Sequence, residues 1–327
     1  MKPLVSHFII SYNEVEFIGE AIQSAIDQDY GNLEVIVADD GSTDGTQDVI
    51  LEFAKKYPQR LIPVVGGPNL GITGNCNRAL RHCRGKYISC QGGDDVLLPG
   101  KISRQVEWLE ADQRRVLCGH DVRVIYMGSP DKEYIQGAGK AGRCGVGASK
   151  IVREGVISTY VGTSLMWSAS ANPETGFDNR LPVAADWKHI INIIGTDGIW
   201  GGIDGVYAVY RKHSNNITMT ALDKITIDVY RTLSILKSEY KCYREEIRYC
   251  MVEAIYSMAK MYFRKGLHAK AIRILKRLLF YSKFRHQNVS KYKLIKYTFK
   301  NYTKMAFSSN NTLLKRGYPM FKDEMPS

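Results

Sequence analysis

No uncharged apolar run in this 327-residue chain reaches the roughly 18 residues that a membrane-spanning helix needs. The segment Met1 to His7 leads straight into a strand-like stretch. It has no apolar leader core followed by a small-residue cleavage site, so no signal peptide is indicated and a cytoplasmic location is expected. Cysteine is sparse: seven residues, an odd number, scattered at 76, 83, 90, 118, 144, 242 and 250 with no CxxC pair. That pattern excludes a disulfide framework and a structural zinc site and fits reduced thiols. No G-x-G-x-x-G follows the first strand-like run, so the phosphate cradle of dinucleotide-dependent oxidoreductases is missing. No zinc-finger or RNA-binding fingerprint occurs, and nucleic acid is not an expected partner.

What is present is ordinary in bulk and uneven in charge. Hydrophobic residues make up 44% and charged residues 24%, values of a globular protein rather than a disordered one. Residues 1–219 hold 22 Lys+Arg and 25 Asp+Glu, a balance of −3. Residues 220–327 hold 23 and 8, a balance of +15, and the two give the whole-chain +12. Such asymmetry predicts two regions, 1–219 and 220–327, with different roles. A basic, Tyr-rich second region suits an anionic surface, phospholipid headgroups or nucleic acid.

The first hundred residues alternate strand and helix signals. Val5 to Ile10 and Leu33 to Ala38 are β-rich runs, and Phe17, Ile18, Ala21, Ile22, Ala25 and Ile26 between them follow helical spacing. Ser42, Thr43 or Asp44 is placed to cap the next helix. Further strands are expected at 61–65 and 86–90, with a helix around 73–83. This order predicts an α/β fold: a mostly parallel sheet flanked by helices. Residues 127–150, rich in Gly and charge, are expected to form a mobile loop. From about 220 the pattern is all helical. Two apolar stripes, Ile247 to Tyr262 and Leu267 to Leu279, are separated by Gly266 and read as a helical hairpin. Along the second stripe, Lys270, Arg273, Lys276, Arg277, Lys283 and Arg285 flank Leu278, Leu279, Phe280, Tyr281 and Phe284. They are either the solvated face of helices or an amphipathic surface for anionic lipid.

Ligands of parallel sheets bind beyond the carboxyl ends of the strands. Three strand ends carry polar groups here: Ser11-Tyr12-Asn13, Asp39-Asp40 and Asp94-Asp95. They should converge on one crevice. One acid pair after a strand reads as a helix cap. Two pairs at comparable ends of one sheet point to a ligand, because adjacent buried carboxylates need a cation or hydrogen-bond donors.

These pieces, in order, resemble the family 2 inverting glycosyltransferases with the GT-A fold, of the bacterial surface-polysaccharide type. The resemblance is carried by Ile9-Ile10-Ser11-Tyr12-Asn13, Ala25 to Tyr30, Val37 to Asp44, Asn69-Leu70-Gly71 with Asn77, and Gly85 to Ile88. It continues through Asp94 to Pro99, Gly176-Phe177-Asp178, Ala185-Asp186-Trp187 and Tyr210 to Asn216, covering roughly residues 3–218. It implies a nucleotide-sugar donor, a UDP-sugar by expectation, and a glycan or lipid-linked acceptor at the inner face of a membrane. Tyr12 and Asp39 would hold the base beside Ser11, with Asp40 on the ribose side. Glu14, Asn69 and Asp95 complete the expected donor contacts. Asp94 matches the last acid of the DxD motif, which holds Mn2+ or Mg2+, with His213 as a second candidate ligand. Asp186 matches the general base.

The residue types suit that chemistry. A divalent cation stabilises the charge that gathers on a leaving nucleoside diphosphate. A carboxylate on the opposite face takes the proton of the attacking hydroxyl, and in-line attack inverts the anomeric carbon. Two departures stand out. Gly92 replaces the first DxD acid, and Ala185 replaces the acid that often precedes the base. The first leaves weaker metal binding, a compensating ligand or metal-independent action open. It also motivates the alternative of a non-catalytic nucleotide-sugar-binding homologue.

Overall fold

The computed structural model describes residues 2–137, 144–154 and 161–279. The chain begins with the anticipated alternation: β1 (Val5–Ser11), α1 (Ile18–Ile26), β2 (Leu33–Asp39), α2 (Thr46–Lys56), β3 (Leu61–Val64), α3 (Gly71–Leu80) and β4 (Tyr87–Gly92). It continues with β5 (Val96–Leu97), α4 (Lys101–Glu110), β6 (Arg115–Tyr126), β7 (Ser129–Gln136), β8 (Cys144–Val146), α5 (Ser149–Glu154), β9 (Met166–Ser168), α6 (Asp186–Ile194) and β10 (Ile199–Lys212). Among the described residues four α-helices follow: α7 (Ile217–Thr220), α8 (Leu222–Glu239), α9 (Arg244–Arg264) and α10 (His268–Leu279).

Among the described residues the strands form one ten-stranded sheet. Its main path is β3-β2-β1-β4-β9-β6-β10-β5, with β7 added to β6 and β8 to β10. The β3-β2-β1-β4 half is parallel, as is the β6–β10 pair. The short strands β5, β7, β8 and β9 pair antiparallel and make the second half mixed. All of β2 is buried, and so is nearly all of β1, because helices cover both faces. On one face Val5, Ile9, Val35 and Val37 pack with Ile18 and Ile22 of α1, Ile50 of α2 and Ile102 of α4. Each such fully buried aliphatic contributes about 1.5–3 kcal/mol of transfer free energy. Alternation along β1 turns Phe8 to the opposite face, where its ring meets Trp167 edge-on.

Within the loop expected over 127–150, the described residues 129–136 and 144–146 are strands. β7 returns antiparallel along β6, with Val122 opposite Gln136 and Tyr126 opposite Ser129 across a Met127-Gly128 turn. β8 pairs with the start of β10. Asp131, Lys132 and Glu133, three of the charges that suggested a loop, sit on β7, a strand at the edge, where charged side chains are common because they block further pairing.

By compactness the chain divides into 1–250 and 251–327. The first unit runs past the change of charge at 219/220 and includes α8. Within the second, Val252, Ala259 and Leu275 form a small buried core with Ile255, Tyr256 and Ile274 against it. Gly266, at φ 71°, lies between α9 and α10, as the break in the apolar pattern anticipates. Phe280, Tyr281, Lys283, Phe284 and Arg285 lie outside the described residues. No helix among the described residues is long and apolar enough to cross a membrane.

Candidate active site

The parallel register places the ends of β1, β2 and β4 side by side. Ser11 is level with Asp39, and Ile10 is level with Gly92. The chemistry-bearing residues follow directly from those ends. The Ser11 hydroxyl donates to Asp39 Oδ2 at 3.1 Å. Asp39, fully buried, also accepts from the Gly41 N–H at 3.1 Å and the Ser42 N–H at 2.8 Å. The turn after β2 is therefore wound around this one carboxylate. Tyr12 stays 51% exposed at the rim. Beside it Asn13 links the β1 and β2 loops, its N–H donating to Ser42 Oγ at 2.7 Å and its Oδ1 accepting from the Thr43 N–H at 2.9 Å.

Asp40 faces the loop before α3. Its Oδ1 accepts from the Leu70 N–H at 2.7 Å. Burial raises its pKa, and the Leu70 and Gly71 amides and Arg78 oppose the rise. Arg78 crosses from α3, donating to the Asp39 carbonyl at 2.9 Å and the Pro68 carbonyl at 2.6 Å. Sequence reading did not single out Arg78; a cation inside a helix carries no motif of its own. Asn69 is exposed on this loop, its Oδ1 accepting from the Gly71 N–H at 3.1 Å.

After β4, Asp94 and Asp95 turn to different partners. Asp94 Oδ2 accepts from Asn216 Nδ2 at 2.6 Å and lies 3.0 Å from His213 Nε2. The sequence-expected pair Asp94 and His213 is thus in contact. Asn216 was quoted only as part of a motif. His213 in turn stacks on Phe17, 5.0 Å between ring centres. Asp95 Oδ1 accepts from the Arg211 N–H at 3.2 Å. Burial and the neighbouring Asp94 push the Asp95 carboxyl well above its ordinary range.

Glu14 completes the acid group. Burial, then the charges of Asp94, Asp95, Asp39 and Asp44, raise its pKa well above normal. Its Oε2 is buried with no hydrogen-bond partner. Gly93 is needed beside it: a Cβ at 93 would stand 2.2 Å from Glu14 Oε2. At Gly92 a Cβ would stand 2.6 Å from Asp94 Oδ1. With Asp94 in this position, a side chain at 92 would compete with Asp94 for the same space.

Asp186 opens α6. It is exposed, yet surrounding protein raises its pKa, with the Trp187 N–H at 2.9 Å acting the other way. Burial raises the Cys76 thiol and pushes Cys90 up to about 12. The segment leading to it is fastened to α3, where Asn77 Nδ2 donates to the Phe177 carbonyl at 2.8 Å and Asn77 Oδ1 accepts the Phe177 N–H at 2.8 Å.

A divalent cation is tested by this donor set. Among the described residues no three or more His, Cys, Asp or Glu side chains are grouped to hold a metal. Mg2+ and Mn2+ require few protein ligands and complete their shell with water and phosphate oxygens. The mutual repulsion of Asp94, Asp95 and Glu14 and the unpartnered Glu14 oxygen fit a site that gains from a cation.

Residues 6–166 match the family model described as Glycosyl transferase family 2. That match takes in just under half of the chain. It is 32% identical over 216 residues to the uncharacterized protein Rv1520 of Mycobacterium tuberculosis, covering 65% of this chain and 60% of that protein. To the putative glycosyltransferase EpsE of Bacillus subtilis it is 34% identical over 123 residues, 38% of this chain and 44% of EpsE. The chain thus spans about 60% or less of the curated relatives named here. The fold is similar to that of S. aureus TarS 1–349 in complex with UDP, with TM-score 0.66, 16% identity, and 93% and 90% of the two chains covered. It is also similar to the mannosyltransferase PcManGT of Pyrobaculum calidifontis in complex with GDP-Man and Mn2+, with TM-score 0.57, 18% identity, and 95% and 89% covered. The architecture is the GT-A glycosyltransferase fold.

Proposed function

We infer that this chain is a glycosyltransferase that moves a sugar from a nucleotide sugar, a UDP-sugar in the first instance, to a glycan or lipid-linked acceptor of polysaccharide biosynthesis. The observation that carries the reading is the meeting of Asp94 with His213 and Asn216 beside the acid-rich ends of β1, β2 and β4. Support comes from the match of residues 6–166 to the family 2 model and from neighbours solved with UDP, and with GDP-Man and Mn2+. In this reading Tyr12 stacks on the base, while Ser11, Asp39 and Asp40 orient base and ribose. Glu14, Asn69 and Asp95 shape the donor site. Asp94 and His213 are the residues that would hold Mn2+ or Mg2+. Bound there, the cation stabilises negative charge on the leaving diphosphate.

The protein's own part is positioning and proton transfer. The acceptor hydroxyl oxygen forms a bond to the anomeric carbon as the bond from that carbon to the diphosphate breaks. Asp186 takes the hydroxyl proton, and the electron pair leaves with the nucleoside diphosphate. Direct displacement gives inversion. The raised Asp186 pKa makes it a stronger base than an ordinary Asp. The reaction takes place in the cytoplasm, with the basic C-terminal region resting on the anionic inner face of the membrane.

The test is release of nucleoside diphosphate from a panel of UDP-, GDP- and dTDP-sugars, with and without lipid-linked glycan extract. One donor should be consumed only with acceptor, and Asp186→Asn should remove that turnover. Gly92 favours a second reading, a homologue that binds nucleotide sugar without transfer. Nucleotide binding with no turnover on any acceptor would decide for it.

A further inference from the structure

Asp228 is a fully buried carboxylate that no part of the donor site uses. It lies on α8, beyond the region that resembles the family. Its Oδ2 accepts two backbone amides, Val183 N–H at 2.9 Å and Ala184 N–H at 3.2 Å. Those amides lie three and two residues before Asp186. Its Oδ1 meets Arg231 one turn along at 3.2 Å. The far end of α8 reaches the other side of Asp186. Glu239 lies 2.9 Å from the buried Lys188 ammonium, two residues after Asp186, and 3.2 Å from Arg180. Lys188 and Arg180 also meet Asp178, at 3.4 and 2.6 Å. The chain is thus gripped on both sides of Asp186 by one rigid 18-residue helix.

From this geometry we propose that Asp228 is a positioning residue. It fixes the 183–185 segment so that the Asp186 carboxylate stands where the acceptor hydroxyl must give up its proton. This role rests on Asp186 being the base. A buried carboxylate bound to two consecutive amides sets backbone direction more tightly than a surface contact, since losing it leaves both donors unsatisfied. Misplacement of a reacting group by about 1 Å costs on the order of a hundredfold in rate. Because both amides converge on one oxygen, the carbonyl of an asparagine can still receive them.

The experiment compares Asp228→Ala, Asp228→Asn and Asp186→Asn in the full chain, with kcat, donor KM, the pH profile of kcat and nucleoside diphosphate affinity. Asp228→Ala should lower kcat about tenfold to a hundredfold and leave donor KM within about threefold. It should also move the acidic limb of the profile, because the surroundings of Asp186 change. Asp228→Asn should recover most of kcat. An effect on folding alone would lower the active fraction without moving the limb. Unchanged kcat and an unmoved limb in Asp228→Ala, with Asp186→Asn inactive, overturn the positioning role alone. Activity in Asp186→Asn overturns the base assignment beneath it. If Asp228→Ala does not fold, Asp228→Asn still decides: its acidic limb should stay with that of the wild type, and an inactive but folded Asp228→Asn that binds nucleotide normally contradicts the proposal.

Discussion

Asp186, Glu14 and Gly92 each make a separate demand on the site. Surrounding protein raises the pKa of the exposed Asp186 above its ordinary value, so transfer should fall as pH drops through that raised value. The acidic limb of kcat should lie above the usual Asp range near 3.9. Asp186→Asn should cost at least about a hundredfold in kcat while nucleotide affinity stays within threefold, as read by calorimetry. Glu14 makes an opposite statement about stability. The folded state holds its proton more tightly than the unfolded chain, so its contribution is fully present below about 4.5 and is lost as pH rises through the folded value. Glu14→Gln should therefore raise Tm of the metal-free, nucleotide-free protein at pH 7. The gain should shrink below pH 4.5, and a gain that persists there would remove the buried charge as its cause. At Gly92 a Cβ presses on Asp94 Oδ1. Gly92→Ala should weaken cation-dependent nucleotide binding by loosening Asp94 from His213 and Asn216, measured by titration with Mn2+ present.

At the scale of elements, the strand-end convergence was legible in the sequence because a parallel sheet fixes it. Once β1, β2 and β4 are neighbours, Ser11, Asp39 and the residues after Gly92 must meet. Arg78 and Asp228 were not legible. Both lie inside helices, where a charged residue usually faces solvent, and their meaning comes from backbone carbonyls and amides that only tertiary packing brings near. The strands β7 and β8 were missed for a related reason. Gly and charge read as loop, yet an edge strand tolerates both. Asn77 shows how α3 and the segment before Asp186 are joined. It bonds both backbone groups of Phe177 and the Asn179 side chain at 3.1 Å. Asn77→Ala should cost roughly 2–3 kcal/mol, measured by urea unfolding, with kcat reduced more than donor affinity.

Over the whole molecule, charge and packing divide the chain at different places. The charge balance changes at 219/220, but the first compact unit extends to Cys250. α8 thus combines a place in the basic region with contacts to the segment that carries Asp186. The +15 balance of residues 220–327 leads to an expectation about surfaces. The full chain should sediment with vesicles rich in anionic phospholipid at low salt and be released near 0.5 M salt, where screening shortens the Debye length to a few ångströms. Salt-independent sedimentation would assign the contact to apolar insertion instead.

The donor crevice is tested most directly by thermal unfolding of the full chain with UDP, GDP, dTDP or CMP, each in EDTA, Mg2+ and Mn2+. A nucleotide at a hundred times its Kd stabilises by about 2.7 kcal/mol, a shift of several degrees. The prediction is one nucleoside diphosphate, UDP first, that raises Tm with Mn2+ or Mg2+ and loses most of that effect in EDTA and in Asp94→Asn. No shift with any nucleotide under any condition would contradict the account.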